Sequence, residues 1–451
     1  MGQSLVVCHP REDGDPVYNY LMKNKILYGP QTKAAVENFP FDYPKTHLEF
    51  FYAIVLVKKA TAYANFKAGK IDDKKAKKIT TVCDDILRGK YDDQFVIKGL
   101  HGGAGTSVNM NVNEVIGTLS GTHPNDDVNA SQSTNDVNPS ALKIASIKLT
   151  EKLIKSLLYL IKVMEKRAEE FKDIRKLART HIQDAVPTTL GAEFNSYASI
   201  LKRDKKRIEE AMEYLYELNL GGTAIGNSIN APEKYIKNVY PELKKITGIS
   251  ELKPLENLMS GTSSGTDFCY LSSTVNILCL DMTKMATDFR FLASGPKGGI
   301  GEISFSELQP GSSIMPGKVN PIICETINQI YYQVDGRNTT IHHAAEGAHL
   351  ELGIMLPAIA DSLITLLKIV DSGLRLFADR GVKKIVVNRE RCLEHLEKST
   401  AYSTLLTPSL GYDVVSKVVK ESVATGKTIR EIILEKKLLT NQELNRLLLS
   451  P

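Results

Sequence analysis

Seven apolar residues, Leu271, Val275, Leu278, Met282, Met285, Phe289 and Leu292, follow one another at steps that alternate between four and three. An α-helix brings such positions onto one side, whereas a strand would scatter them over both faces. A stripe of this length is the seam of a helix bundle or coiled coil. Ile147, Ile154, Leu157, Ile161 and Met164 form a second stripe, Leu201, Ile208, Met212, Leu215 and Leu218 a third, and Leu356, Ile359, Leu363, Leu366 and Val370 a fourth. Read as core, they predict an all-α fold with a long central bundle from about residue 140. So many seams imply that other subunits help to bury them. Before the bundle, helices are expected near residues 46 to 69 and 72 to 89, and Tyr28-Gly29-Pro30-Gln31-Thr32 reads as a turn ahead of a helix. Beyond about 390 the helices shorten, with capping-box spacings at Thr428/Glu431 and Thr440/Glu443.

Composition removes several classes of partner. A formal charge of +5 from 57 Lys+Arg against 52 Asp+Glu is slight for 451 residues, and no basic block with interleaved aromatics stands out, so nucleic acid is not an expected partner. Cys8, Cys83, Cys269, Cys279, Cys324 and Cys392 are scattered without metal-ligand spacing, which argues against zinc and a disulfide framework and for a reducing, cytoplasmic setting. The start, Met-Gly-Gln-Ser-Leu-Val-Val-Cys-His, has no basic segment followed by a long apolar run. The most apolar stretch, Leu352 to Val370, is interrupted by Pro357, Asp361 and Lys368 and is expected to be a buried helix, not a membrane span.

Polar clusters lie between the stripes. Gly311-Ser312-Ser313-Ile314-Met315-Pro316-Gly317-Lys318-Val319-Asn320-Pro321 suits neither a helix interior nor a buried strand and is expected to be a loop. His101 to Asn111 is a glycine loop without the Gly-Lys-Ser/Thr ending of a phosphate loop or the spacing of a dinucleotide fingerprint. Ser131-Gln132-Ser133-Thr134-Asn135-Asp136 leads into a helical stripe, and capping accounts for one or two of its six residues. Arg179 to Pro187 and Gly221 to Asn230 each separate two helical segments. Clusters rich in Ser, Thr, Asn, His and Lys at the ends of long helices suggest one pocket assembled from distant parts of the chain. Small dicarboxylates are held by such donors, because carboxylates take charge-assisted bonds from Lys and further bonds from hydroxyls and amides. The residues alone define an all-helical enzyme or binder of a small anion, not a reaction.

The 311–321 loop resembles the signature of the fumarase/aspartase superfamily. Gly-Gly-Ala-Gly-Thr-Ser-Val-Asn-Met-Asn, Ser-Gln-Ser-Thr-Asn-Asp, Arg-Thr-His-Ile-Gln-Asp-Ala-Val-Pro and Gly-Gly-Thr-Ala-Ile-Gly are similar to its other signature stretches, in the same order, from about Tyr28 to the end. The resemblance implies a three-domain, all-α fold: a mainly helical domain over 1–134, a central bundle over 135–388 and a small helical domain over 389–451. It also implies a homotetramer with active sites shared between subunits, and chemistry that needs no metal or organic cofactor. Members add to or eliminate from fumarate-type double bonds. Thr106-Ser107-Val108, Ser133-Thr134-Asn135, Asp184-Ala185-Val186-Pro187, Asn328-Gln329 and Ala344-Ala345-Glu346-Gly347 resemble the branch that eliminates ammonia from aspartate. Gly301-Glu302-Ile303-Ser304 and His123 to Asn129 are at least as similar to the branch that dehydrates malate, the class II fumarases. The alternatives are therefore that second activity, or a non-catalytic relative.

By the same resemblance, Ser312 is the expected base, with its alkoxide favoured by loop amides and Lys318. Thr106, Ser133, Thr134 and Ser313 would hold the carboxylate that becomes an enediolate, and Lys318, Asn320 and Thr180 the other one. Asn135 and His181 would meet the leaving amino group, with Glu325 orienting His181. Asn227-Ser228, Asn138 and Gly353 depart from the family pattern, which commonly has Thr-Gly, an aromatic and Asn there, and the segment between Glu114 and His123 is short.

Overall fold

A computed structural model describes residues 25–449, without the side chains of the last two; Cys8 and the N-terminal stretch judged for a leader lie outside the described residues. The described residues are mainly helical, with three small two-stranded sheets among them. It divides into two compact units. The first comprises the residues up to Leu149 with Ala211–Ser272 and Arg337–Thr365; the second comprises Thr150–Glu210, Ser273–Gly336 and the chain from Leu366 onward. The division falls within the five longest helices, Thr134–Glu170, Leu190–Glu213, Thr266–Leu292, Ile322–Glu346 and Leu356–Leu376.

The stripes are core. All seven residues of the Thr266–Leu292 seam are buried, as are all five in each of the third and fourth stripes. In the second, Ile154 is half-buried and Leu153 takes the inner position. Ile154 is seven residues beyond Ile147, and on a straight helix each such step drifts by about 20°. No helix among the described residues is long and apolar enough to cross a membrane. Of the Leu352–Val370 stretch, only the part from Leu356 onward is helical, in the helix Leu356–Leu376, where the buried Asp361 accepts a 2.7 Å bond from Tyr43 Oη; Leu352 instead bridges His349.

In the first unit, Leu48–Lys67 and Asp73–Leu87 form the expected pair, and the former also packs on Glu233–Thr247. The helix Pro30–Asn38 has Gly29 at its N-cap and no cap from its own side chains. Glu114, on the helix Thr106–Ser120, serves instead: its buried carboxylate accepts from the backbone N–H of Gly29, Gln31 and Thr32 at 2.9–3.0 Å and from Thr32 Oγ1 at 2.6 Å. A carboxylate there satisfies orphan donors and meets the positive end of the helix dipole.

The second unit holds an aromatic cluster in which Phe194 stacks on Phe289 at 5.3 Å and Phe289 leans on Phe377 at 5.9 Å. Its C-terminal part has a small core of Leu396, Tyr402, Leu406, Val415, Val418, Ile429, Ile432, Ile433 and Leu444. Both capping boxes close, with Glu431 N bonding Thr428 Oγ1 and Glu443 N bonding Thr440 Oγ1 at 3.2 Å.

Asp204 is fully buried on the helix Leu190–Glu213, beside Asp281, and accepts a 2.5 Å bond from Arg207. Burial and the Asp281 charge push its carboxyl up to about 7, against the pull of Arg207. A carboxyl raised by folding adds stability that is complete below its unfolded value near 4 and is lost as pH climbs through 7. Asp204→Asn removes this titration, so its stability relative to wild type should rise by roughly 2–4 kcal/mol between pH 4 and pH 8. Thermal unfolding of both proteins across that range checks it; a pH-independent difference would show that Asp204 does not titrate there.

Candidate active site

Three polar clusters meet in the first unit. Gly103 and Gly105, both with φ of +85°, lead directly into the helix Thr106–Ser120. Asn138 Nδ2 donates to Gly105 O at 2.9 Å, and a Cβ on Gly105 would lie 2.4 Å from that nitrogen, so only glycine fits both the dihedral and the approach. Thr134 opens the next helix, and its hydroxyl accepts from Asn109 Nδ2 at 3.2 Å. The two helix starts are thereby pinned together by Asn138 and Asn109. The hydroxyls of Thr106, Ser133 and Thr134 stand at these two starts as a candidate cradle for an anion, while most first-turn N–H groups already have partners: Val108 and Asn109 donate to Gly105 O, and Asn135 donates to Ser133 Oγ. Thr106 is exposed, and Ser133, Thr134 and Asn135 are half-buried.

Asp136 joins the third cluster. Its buried carboxylate accepts from Ser133 N at 2.8 Å, Gly221 N at 2.9 Å and Thr223 N at 3.1 Å. Burial pushes it up to about 6, while those amides and the Lys58 ammonium favour its charged form. Asn135 Nδ2 donates to Ala224 O at 2.8 Å, and Asn219 Nδ2 donates to Asn135 O at 3.0 Å. Behind the cradle the fully buried Lys58 donates to Asn129 Oδ1 at 2.7 Å and Gln132 Oε1 at 3.0 Å, its amine lowered to about 7 by burial.

The second unit carries the remaining predicted residues. Arg179 to Pro187 does lie between two helices, but as part of an antiparallel hairpin, Arg175–Thr180 with Gln183–Thr189, not as a simple link. Thr180 pairs with Gln183, leaving His181 and Ile182 as a two-residue turn with φ of +55° and +62°. Such turns favour Asn-Gly, and a β-branched residue at positive φ is strained, a cost found often at functional sites. Thr180 and His181 are both exposed.

Residues 311–321 form a loop, as expected. Asn320 Nδ2 donates to Gly311 O at 2.7 Å and closes its neck, where a Cβ on Gly311 would lie 1.9 Å from Lys318 O. Ser312 Oγ accepts from the backbone N–H of Ile314 at 3.2 Å and of Met315 at 3.1 Å. Ser313 and Lys318 are exposed on the same loop, and Glu325 stands in the first turn of the helix Ile322–Glu346. Among the described residues no group of three or more His, Cys, Asp or Glu is placed to hold a metal.

Asn109, Asp136, Asn138 and Asn219 were not singled out as site residues from sequence. One signal existed: Asn109, Asn111 and Asn113 alternate with Val108, Met110 and Val112, and buried amides must find partners.

The helical fold and its motif-bearing loops define the chain as an enzyme of the lyase class. A family model described as "Lyase" matches residues 19–336, and one described as "Fumarase C C-terminus" matches 403–450. The aspartate ammonia-lyase of Bacillus subtilis is 41% identical over 94% of this chain and 91% of its own length, and that of Escherichia coli K12 is 39% identical over 93% and 90%. Among solved structures, the Brucella melitensis fumarate lyase:delta crystallin aligns with a TM-score of 0.90 at 40% identity over 94% of both chains. The class II fumarase of Schistosoma mansoni aligns with a TM-score of 0.88 at 32% identity over 94% of this chain and 95% of its own. The chain belongs to the fumarase/aspartase superfamily.

Proposed function

We propose that this protein converts L-aspartate to fumarate and ammonia, reversibly, by anti-elimination. The observation that carries this reading is the cradle of Thr106, Ser133 and Thr134 at two joined helix starts, in a chain about two-fifths identical to named aspartate ammonia-lyases.

A proton on the carbon next to a carboxylate is a very weak acid, so donors must stabilise the charge that its removal places on that carboxylate. The Ser312 alkoxide takes this proton, and the electron pair moves into the carboxylate held by Thr106, Ser133, Thr134 and Ser313, giving an enediolate. The pair returns to form the double bond as the C–N bond breaks and ammonia leaves beside Asn135 and His181, with Glu325 orienting His181. Lys318, Asn320 and Thr180 hold the second carboxylate. The two amides donating to Ser312 Oγ support its role, because they favour the alkoxide over the alcohol. Closure of the loop over substrate would exclude water.

The protein works as a homotetramer whose active sites are shared between subunits, in the three-domain division at 134/135 and 388/389 expected for the family. Exposed apolar residues on the long helices, Leu158, Tyr159, Ile277, Leu280, Phe291 and Tyr332, support subunit contacts along the bundle. A cytoplasmic location fits the free cysteines. The second reading, malate dehydration, is favoured by the fumarase C-terminal match and the His123–Asn129 stretch. Purified protein incubated separately with L-aspartate and L-malate decides between them: fumarate from aspartate alone is expected, and fumarate from malate alone overturns the proposal.

A further inference from the structure

Glu302 lies in a motif that the proposed chemistry leaves unused, yet its side chain is completely buried and faces three basic groups. Its Oε1 accepts from Arg179 at 2.7 Å and lies 2.9 Å from His395 Nδ1; its Oε2 lies 3.4 Å from Lys176 Nζ, which also binds Glu193 at 2.9 Å. Burial works against the carboxylate charge, but these partners outweigh it and hold Glu302 below the usual range. Its backbone is equally tied, with Glu302 N donating to Leu292 O and Asn388 N donating to Glu302 O, both at 2.9 Å.

The partners come from segments that matter. Arg179 immediately precedes Thr180 and His181. Glu302 immediately precedes the short strand Ile303–Phe305, after which the chain enters the stretch leading to Ser312. His395 belongs to the helix Arg389–Lys398. The hairpin ladder is irregular between Leu177 and Arg179 and resumes as Arg179–Asp184 and Thr180–Gln183 beside the His181 turn, so the turn end of the hairpin is a short paired segment set off from the rest by the slip. The Arg179–Glu302 pair lies beyond that slip. A buried ion pair is weak evidence of added stability, because desolvation offsets much of the attraction, but its geometry fixes the segments it joins.

We propose that Glu302 is a positioning residue that anchors the Thr180–His181 turn to the root of the Ser312 loop, with His395 tying the same carboxylate to the C-terminal helix. The catalytic part of this inference rests on the roles proposed above for His181 and Ser312; the anchoring itself does not.

The test compares the full-length wild type with Glu302→Gln, and with Arg179→Gln should the first variant fail to fold. Backbone amide exchange should accelerate by about tenfold or more at residues 179–184 in either variant, and also at 303–312 in Glu302→Gln, while the helix Leu356–Leu376 stays protected. Unchanged exchange at 179–184, or acceleration spread evenly over the whole chain, overturns the anchor. With L-aspartate, kcat should fall by about 100-fold, and KM should rise as well because Thr180 of the same turn holds the second carboxylate in the proposed function. On a His181→Asn background Arg179→Gln, which loosens the turn and leaves the Ser312 loop root in place, should cost no more than about fivefold further. A full second loss from Arg179→Gln there assigns the Arg179–Glu302 pair a purely structural role and overturns the positioning claim. Should the wild type turn over neither aspartate nor malate, the functional reading fails while the exchange comparison still decides the anchor.

Discussion

Ser312→Ala should lower the rate of fumarate formation from aspartate by about 10³-fold or more, since removing a proton acceptor from such a step removes the step itself. The substitution deletes a hydroxyl whose only described partners are the backbone N–H groups of Ile314 and Met315, both on an exposed part of the loop where water can replace it. Stability should therefore change by less than about 0.5 kcal/mol, as for most surface substitutions outside special features. Subunit assembly should be unchanged. Steady-state kinetics alongside thermal unfolding and a solution mass measurement separates the two effects. Near wild-type turnover in the variant would falsify the assignment of Ser312 as base, and a loss accompanied by dissociation or unfolding would leave the loop with a structural role.

The bundle was legible because its signal is one-dimensional. Leu271, Val275, Leu278, Met282, Met285, Phe289 and Leu292 need only helical geometry to become a buried seam, and all of them are buried. The 311–321 loop was legible for the opposite reason, since Gly311, Pro316, Gly317 and Pro321 exclude regular structure whatever surrounds them. The Arg175–Thr189 hairpin was not legible. Its turn residues, His181 and Ile182, are poor choices for positive φ, and the strands around them mix charged and apolar residues without clean alternation. The long-range contact beside the turn, Arg179 with Glu302, joins residues distant in sequence.

The cradle was half legible. Thr106, Ser133, Thr134 and Asn135 could be named from their clusters, but the groups that draw the clusters together could not. Asn138 is instructive: as a departure from the family's aromatic it reads as a reason to question the substrate, whereas in the fold its amide secures Gly105 at the start of the Thr106 helix. Asp136 likewise reads as a helix-start residue, and does bond Ser133 N, but its second oxygen reaches Gly221 and Thr223 across the chain. Long-range polar contacts of this kind leave no periodicity in sequence.

Lys318→Met carries the second large effect, and how it divides between kinetic parameters bears on what the lysine does. A charge-assisted bond to a carboxylate contributes about 2–4 kcal/mol in a closed site, so kcat/KM for aspartate should fall by about 10²–10³-fold. Lysine that only gripped the second carboxylate would hold ground state and transition state alike, and its loss would raise KM with kcat nearly unchanged. The proposed role is wider. Lys318 stands on the same short loop as Ser312, whose neck is closed by Asn320 on Gly311, and its positive charge favours the serine alkoxide together with the amides of Ile314 and Met315. Its removal should then depress kcat as well, by about tenfold or more, and shift the alkaline-rising limb of the pH–rate profile upward, because the serine loses a group that stabilises its charged form. Lys318→Arg keeps the charge and should retain that limb near its wild-type position even where the bulkier guanidinium weakens binding. A rise in KM alone, with kcat and the pH profile of Lys318→Met matching wild type, would confine the lysine to binding and leave the loop amides as the groups that activate Ser312.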